Sequence, residues 1–557
     1  MELTDAQKII VEQDGNCVVL AAPGSGKTFV ISEKIRRILL GDELRDYQGV
    51  IAISYTRKAA KNLKDRVFAN IPFSRSSFFG TIDGFCFSEV IYPFLSHIWG
   101  SKKIEISIKS LNDCDKDNQE LFLWVKEKRD IYSIAEEEWA QLWELYYEEG
   151  FVLVEALELL ACKIIKESTA CRNYLKARYR YIFIDEYQDA DIYTSILFDE
   201  LVNLGLVGIA VGDAKQSIFG YDKKDSKYLQ ALVERGDFHY FPLDKNFRCS
   251  PSIINYSNRL MDADSTLLPA SQIDVHLVRI EGEESAVSKF LSSNIKDCCK
   301  RYHVEKLSDV AVLAKTNKYL DLIASHLSLP YRMYNTTGLD NDSNVCSSFY
   351  AALLRFYYDS NMTFLETLED FVDIEMLTRY DHKRVLQLKV QLRSLSLPDD
   401  VELFVGYCTE LADIILPNAS NDVSSAILRK VIGDKKSLES YRPLNDNEVN
   451  LMTLHKSKGL EFDLVFHLNL HEWILPNKKP INGDFYNCEY PSWQQDLDLH
   501  YVGITRAKKA CYLVINNQRL GFKNKIVTGR DSEFLTLNGV DTVSYTHLRA
   551  HETGAYL

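Results

Sequence analysis

The octet Ala21-Ala22-Pro23-Gly24-Ser25-Gly26-Lys27-Thr28 carries the most specific chemistry in this chain. Its glycines let successive backbone N–H groups turn inward and form a nest for phosphate oxygens. Lys27 follows as a point charge for the β- and γ-phosphates, and the Thr28 hydroxyl suits Mg²⁺. Ala22, Gly24, Ser25, Gly26, Lys27 and Thr28 are therefore candidate nucleotide ligands. A second group of chemical residues comes much later, at Asp185-Glu186-Tyr187-Gln188-Asp189. Asp185 would orient Mg²⁺, and Glu186 would position and deprotonate an attacking water. Gln7, just upstream of the octet, offers an amide that can read both donor and acceptor on an adenine edge. Gln216 is a candidate sensor of the γ-phosphate. Arg248, in Leu243-Asp244-Lys245-Asn246-Phe247-Arg248, is a candidate for stabilising transition-state charge. Together these residues predict hydrolysis of ATP with Mg²⁺.

Such residues must be held by strands and helices of a particular order. A β-branched run, Cys17-Val18-Val19-Leu20, precedes the octet, and a helical pattern over 29–40 follows it, giving strand, loop and helix. The acidic stretch likewise follows an apolar strand, Tyr181-Ile182-Phe183-Ile184, and a third strand covers 207–211. The segment 49–56 reads as a buried parallel strand running into Arg57-Lys58-Ala59-Ala60-Lys61. Tyr55 with basic neighbours at a strand's carboxyl end suits a stacked base and a phosphodiester backbone. Further strands are expected at 309–313, 449–453, 464–466 and 511–515, with a helix over 317–327. Two stretches, 121–171 and 340–443, read as helical and carry no recognisable motif.

The chain's 557 residues exceed what one hydrophobic core usually supports, so several domains are expected. No apolar run approaches the ~18 residues of a membrane span, and the acidic, polar start (Met1-Glu2-Leu3-Thr4-Asp5) is not a signal peptide. Twelve scattered cysteines without C-x-x-C spacing argue for reduced thiols and against a zinc site. A cytoplasmic protein without membrane contact is the expectation. The net charge of -14 argues against a protein that merely coats nucleic acid, but leaves room for a local basic groove.

Taken in order, the motifs from Leu3 to about Asn516 resemble superfamily 1 DNA helicases of the UvrD/Rep type. The resemblance implies an α/β fold: two RecA-like P-loop NTPase domains with parallel sheets, each carrying a helical insertion. It divides the chain into a first core (1–95 and 172–262) with insertion 96–171, and a second core (263–339 and 444–542) with a reduced insertion 340–443. Residues 543–557, which lack periodicity, are left outside the fold as a non-native or disordered tail.

By the same resemblance Gln7 contacts adenine, Phe247 stacks on it and Glu461 contacts the ribose. Lys27, Thr28 and Asp185 hold phosphate and Mg²⁺, with Glu186 as base. Gln216, Arg248 and Arg506 meet the γ-phosphate. Tyr55, Thr56, Tyr221 and His455 face single-stranded DNA. Tyr221 stands where the family more usually has tryptophan, and Asp222 where it has an arginine that supports strand binding.

A narrower resemblance rests on Gly80-Thr81-Ile82-Asp83-Gly84-Phe85, on the stretch from Asp185 to Asp191, on Asn246-Phe247-Arg248-Cys249 and on His500-Tyr501-Val502. These look like the helicase-like subunit of Gabija anti-phage systems, which implies a nuclease partner subunit and activation by DNA ends. Three functions stay open on the sequence: a 3′–5′ DNA translocase or helicase in defence, a general repair or recombination helicase, and a DNA-end-activated NTPase sensor that scarcely unwinds.

Overall fold

The computed structural model describes residues 2–42, 44–69, 76–100, 106–213, 226–334, 336–342, 344–368, 371, 378–416, 422–521, 525–540 and 546–550. Eight strands lie in the first half: β1 (Cys17–Ala21), β2 (Gly49–Ile53), β3 (Phe78–Gly80), β4 (Ser107–Lys109), β5 (Phe151–Leu153), β6 (Tyr179–Ile184), β7 (Val207–Gly212) and β8 (His239–Leu243). Six of them form a wholly parallel sheet in the order β3-β2-β6-β7-β1-β8. Parallel strands need long crossovers and are buried on both faces, which explains their near-continuous apolar runs. Alternation along each strand divides that burial. Val18, Ile51 and Ile53 enter one hydrophobic cluster, while Cys17, Val19, Val50 and Ala52 enter the opposite one.

The second half repeats the plan with β9 (Val275–Ile280), β10 (Val310–Ala314), β11 (Tyr331–Met333), β12 (Val449–Thr453), β13 (Phe462–His467), an excursion of β14 (Lys479–Ile481) and β15 (Asp484–Glu489), and β16 (Ala507–Asn516). A hairpin of β17 (Gln518–Leu520) and β18 (Ile526–Thr528) follows, and then β19 (Thr546–Ala550). The order β11-β12-β10-β13-β16-β9-β19 is again parallel throughout. Val312 and Leu451 pack on one side of it, and Leu313 and Met452 on the other. Two RecA-like α/β cores are thus present.

The insertions differ in how they are anchored. In the first, Leu111, Phe122, Leu142 and Leu160 share one cluster with Val18 and Ile51 of the sheet. The second runs as helices from Gly338 to Glu439 and closes around its own cluster, including Phe349, Leu388, Leu411 and Leu428.

Local differences from the sequence reading have physical reasons. The helix after the phosphate loop begins at Lys27, two residues early, because Gly26 in the left-handed region (φ 85°) serves as its N-cap. The strand expected over 49–56 ends at Ile53, where Thr56 caps the next helix by accepting from the Ala59 amide at 3.1 Å. A strand appears at Phe151–Leu153 inside the stretch read as purely helical; three residues are too few to show a period. Residues 546–550, left out of the fold on sequence, pair in parallel with β9. Among the described residues, no helix is long and apolar enough to cross a membrane.

Candidate nucleotide site between the two cores

The sheet order explains why residues 157 and 159 positions apart become neighbours. Strand β7 alone separates β1 from β6, so their carboxyl ends lie roughly 10 Å apart. Side chains close that gap: Lys27 Nζ stands 3.4 Å from Glu186 Oε1, and Thr28 Oγ1 donates to Asp185 Oδ2 at 3.4 Å. The carboxyl ends of parallel strands are where open α/β sheets bind ligands.

The loop itself is tied down from two directions. Gly24 (φ 67°) lies so close to the Asn246–Arg248 segment that an added Cβ would fall 2.4 Å from Arg248 Cβ. The Phe247 amide donates to the Gly24 carbonyl at 3.0 Å. Gln7 Nε2 donates to the Ser25 carbonyl at 2.9 Å, while Gln7 Oε1 accepts from the Thr4 amide at 3.0 Å. Gln7 therefore fixes the loop with one N–H while its carbonyl oxygen is held by Thr4. The buried Ser25 hydroxyl has no protein partner among the described residues, which suits a loop shaped for oxygen-rich anions.

The acidic turn is strained and clamped. Glu186 adopts φ 59°, a left-handed conformation uncommon for a residue with a side chain. Gln188, fully buried, donates through Nε2 to Glu186 Oε2 and accepts from the Asp213 amide at 2.9 Å. Burial and the adjacent Glu186 charge push the Asp185 carboxyl up. Burial would push Glu186 up as well, but Lys27, Lys458, Gln188 and Arg506 outweigh it and hold Glu186 down, ionised. Lys27 is pulled down by burial, yet Glu186, Asp213 and Asp185 together keep it above its usual value. Oxygen-only donors from Thr28 and Asp185, with a second carboxylate adjacent, fit Mg²⁺, whose charge would relieve the raised Asp185.

The second core faces this turn with cations. Arg506 is 2% exposed and donates to the carbonyls of Val502 and Leu460, both at 3.2 Å. Burial, reinforced by Arg248, pulls its guanidinium down to about 10, so an incoming anion would stabilise its charged form. Lys458 Nζ reaches back to Asp189 Oδ2 at 2.6 Å. Arg248 spans the cleft, pairing with Glu461 Oε1 at 2.5 Å and donating to the Thr505 carbonyl at 3.3 Å. Phe247 stays 51% exposed beside the loop, with Lys245 Nζ 5.0 Å from its ring centroid. That open face is available for stacking.

Apart from Gln216, the nucleotide residues named on sequence converge on one cleft, with Glu461 at 42% side-chain exposure on its rim. The expected DNA contacts are more dispersed. Tyr55 and Thr56 are exposed at the end of β2, and His455 is half-buried in the turn after β12, where burial and Lys315 hold its imidazole below the usual range. Gln216 and Tyr221, with Asp222, lie outside the described residues. Gln188, Asp189 and Lys458 carry contacts that sequence reasoning did not assign. Their signal was only adjacency to Glu186 and Glu461.

Comparisons with known proteins follow the same division. An AAA domain model matches residues 6–222 and a UvrD-like helicase C-terminal domain model matches residues 350–518. The chain is 24% identical to the Gabija protein GajB of Bacillus cereus, covering 92% of this chain and 95% of that one. It is 22% identical to the ATP-dependent DNA helicase Rep of Buchnera aphidicola (96% of each chain) and 20% identical to PcrA of Bacillus subtilis (93% and 83%).

Proposed function

The chain belongs to the UvrD-like helicase superfamily, and from that premise we propose that it couples Mg²⁺-dependent ATP hydrolysis to 3′–5′ movement on DNA, beside a nuclease subunit in anti-phage defence. The observation that carries the ATPase part is the joining of Lys27 to Glu186 and of Thr28 to Asp185, faced by Arg506 and Lys458 from the other core. In this reading Glu186 takes the proton of the attacking water and Gln188 holds its carboxylate in line. Lys27 and Arg506 neutralise charge that builds on the transferred phosphoryl group. Mg²⁺, held by Thr28 and Asp185, would draw further charge from the phosphates when bound. Because Glu186 and Asp185 sit on one core and Arg506 and Lys458 on the other, hydrolysis would report on how the cores meet, and movement follows if DNA is gripped differently in the two states.

The defence assignment is supported by similarity to Gabija protein GajB over nearly its whole length. A second reading, an end-activated NTPase switch with little unwinding, is favoured by Asp222 at a position where the resembled helicases carry an arginine for strand binding. One experiment separates them: ATP hydrolysis with single-stranded, 3′-tailed and blunt DNA, scored alongside strand displacement. Stimulation with displacement of the tailed duplex supports the motor. Stimulation by ends without displacement supports the switch, and no hydrolysis under any DNA condition sinks both.

A further inference from the structure

The turn between β12 and β13 is short, and three of its residues point to three different places. His455 lies half-buried on the side expected to meet DNA, Glu461 pairs with Arg248 beside the phosphate loop, and Lys458 lies between them in sequence. Backbone bonds hold the turn rigid: the Ser457 amide donates to the Thr453 carbonyl at 3.1 Å, the Lys458 amide to His455 at 3.3 Å, and Gly459 takes φ 81°. The Lys458 side chain crosses to the first core and meets Asp189 Oδ2 at 2.6 Å, with the two side chains 11% and 1% exposed. Asp189 closes the same turn that strains Glu186, since its amide donates to the Glu186 carbonyl at 3.0 Å.

We propose that Lys458 is a positioning residue that fixes the turn bearing Glu186 only when the second core is docked, and so links the DNA-facing turn to hydrolysis. The inference rests on the ATPase reading above. Its physical basis is the cost of burying either partner alone. A carboxylate as enclosed as Asp189 requires a cation, and Lys458 meets it from a rigid segment of the other core. Separation of the cores removes that ion pair from a turn already in an unfavourable backbone region. Lys458 does not touch the reacting atoms in this account; its direct contact is with Asp189, and its charge also helps keep Glu186 ionised.

The test compares wild type, Lys458→Met, Asp189→Asn, their double variant and Lys458→Arg. It records steady-state hydrolysis with and without single-stranded DNA, binding of a non-hydrolysable ATP analogue, and thermal melting. Each single variant should lower kcat by about tenfold or more, with KM and analogue affinity changed by less than about threefold. The double variant should be no slower than the slower single one, and Lys458→Arg should recover most of the rate. If Lys458→Met does not fold, Asp189→Glu keeps the charge, shifts the carboxylate by one methylene and should show the same split. Unchanged kcat, additive losses, or parallel loss of analogue binding would overturn the inference while leaving the ATPase reading intact. A wild type that hydrolyses no ATP would instead overturn that reading, and this inference with it.

Discussion

Each core aims its functional side chains from the carboxyl ends of parallel strands, but the first brings a carboxylate cluster around Lys27, whereas the second meets that cluster with Lys458 and Arg506. Asp185, Glu186, Asp189 and Asp213 cluster around Lys27 on one side, while Lys458 and Arg506 approach from the other. The difference continues into the interiors. Among the described residues the second core buries His276, His467, His471 and His500, whereas His239 of the first core is exposed. It continues into the insertions too, one merged with its sheet and the other closed around its own apolar cluster. Neither half holds all of the proposed catalytic residues, so on that proposal closure can govern turnover without any change in the residues proposed to bind phosphate.

The largest effects should come from removing one charge on each side. Arg506→Ala is expected to slow hydrolysis about 10³-fold or more, as for arginines that meet the γ-phosphate. Glu186→Gln should slow it about 10²–10⁴-fold while ATP remains bound. Single-turnover hydrolysis with a parallel nucleotide-binding assay measures both. Wild-type turnover in Arg506→Ala would break the division of labour between cores, and full turnover in Glu186→Gln would remove the proposed base.

Smaller effects should separate the two insertions. Leu160→Ala and Leu411→Ala each delete buried methyl groups and should cost about 2–5 kcal/mol. Leu160 packs in the cluster that includes the first sheet, so its loss should lower ATPase activity and melting temperature together. Leu411 belongs to the separate cluster, so its loss should loosen the second insertion while DNA-independent hydrolysis persists. Activity measured across a melting curve distinguishes the two, and identical behaviour would deny the second insertion its autonomy.

Mild acid gives the smallest contrast. Burial holds His276 and His467 down to about 4. Their unfolded forms bind protons first, so the stability present above the unfolded value near 6.5 is lost as pH falls towards 4. Between pH 7 and pH 6 the loss should be under about 1 kcal/mol for each histidine. Hydrogen exchange corrected for pH should show β9 and β13 loosening before β1 and β6. Equal loosening in both sheets would argue that the histidines do not set the acid response.

Legibility in the sequence followed burial and locality. Strands β1, β2, β6, β7, β10, β12, β13 and β16 stood out as apolar runs because parallel strands are covered on both faces. Edge strands β3 and β8 did not, since Phe78–Gly80 is only partly buried and His239–Leu243 alternates irregularly. Strand β9 is central, yet His276 and Arg279 interrupt its apolar run and hid it. The phosphate loop was readable because all its chemistry lies within eight residues.

By itself, then, the sequence determined the phosphate loop, the acidic turn, the order of strands and helices around them, and the presence of an arginine and a glutamate late in the chain. Which side chains meet across the cleft was decided only by the tertiary structure. Of the two lysines in Lys456-Ser457-Lys458, one donates to the Tyr334 carbonyl of its own core, while the other reaches Asp189, 269 residues away. Nothing in their local pattern distinguishes them. The physical reason is that an ion pair depends on distance and burial after two separate sheets have folded and docked, and neither quantity is carried by the spacing of residues along one turn.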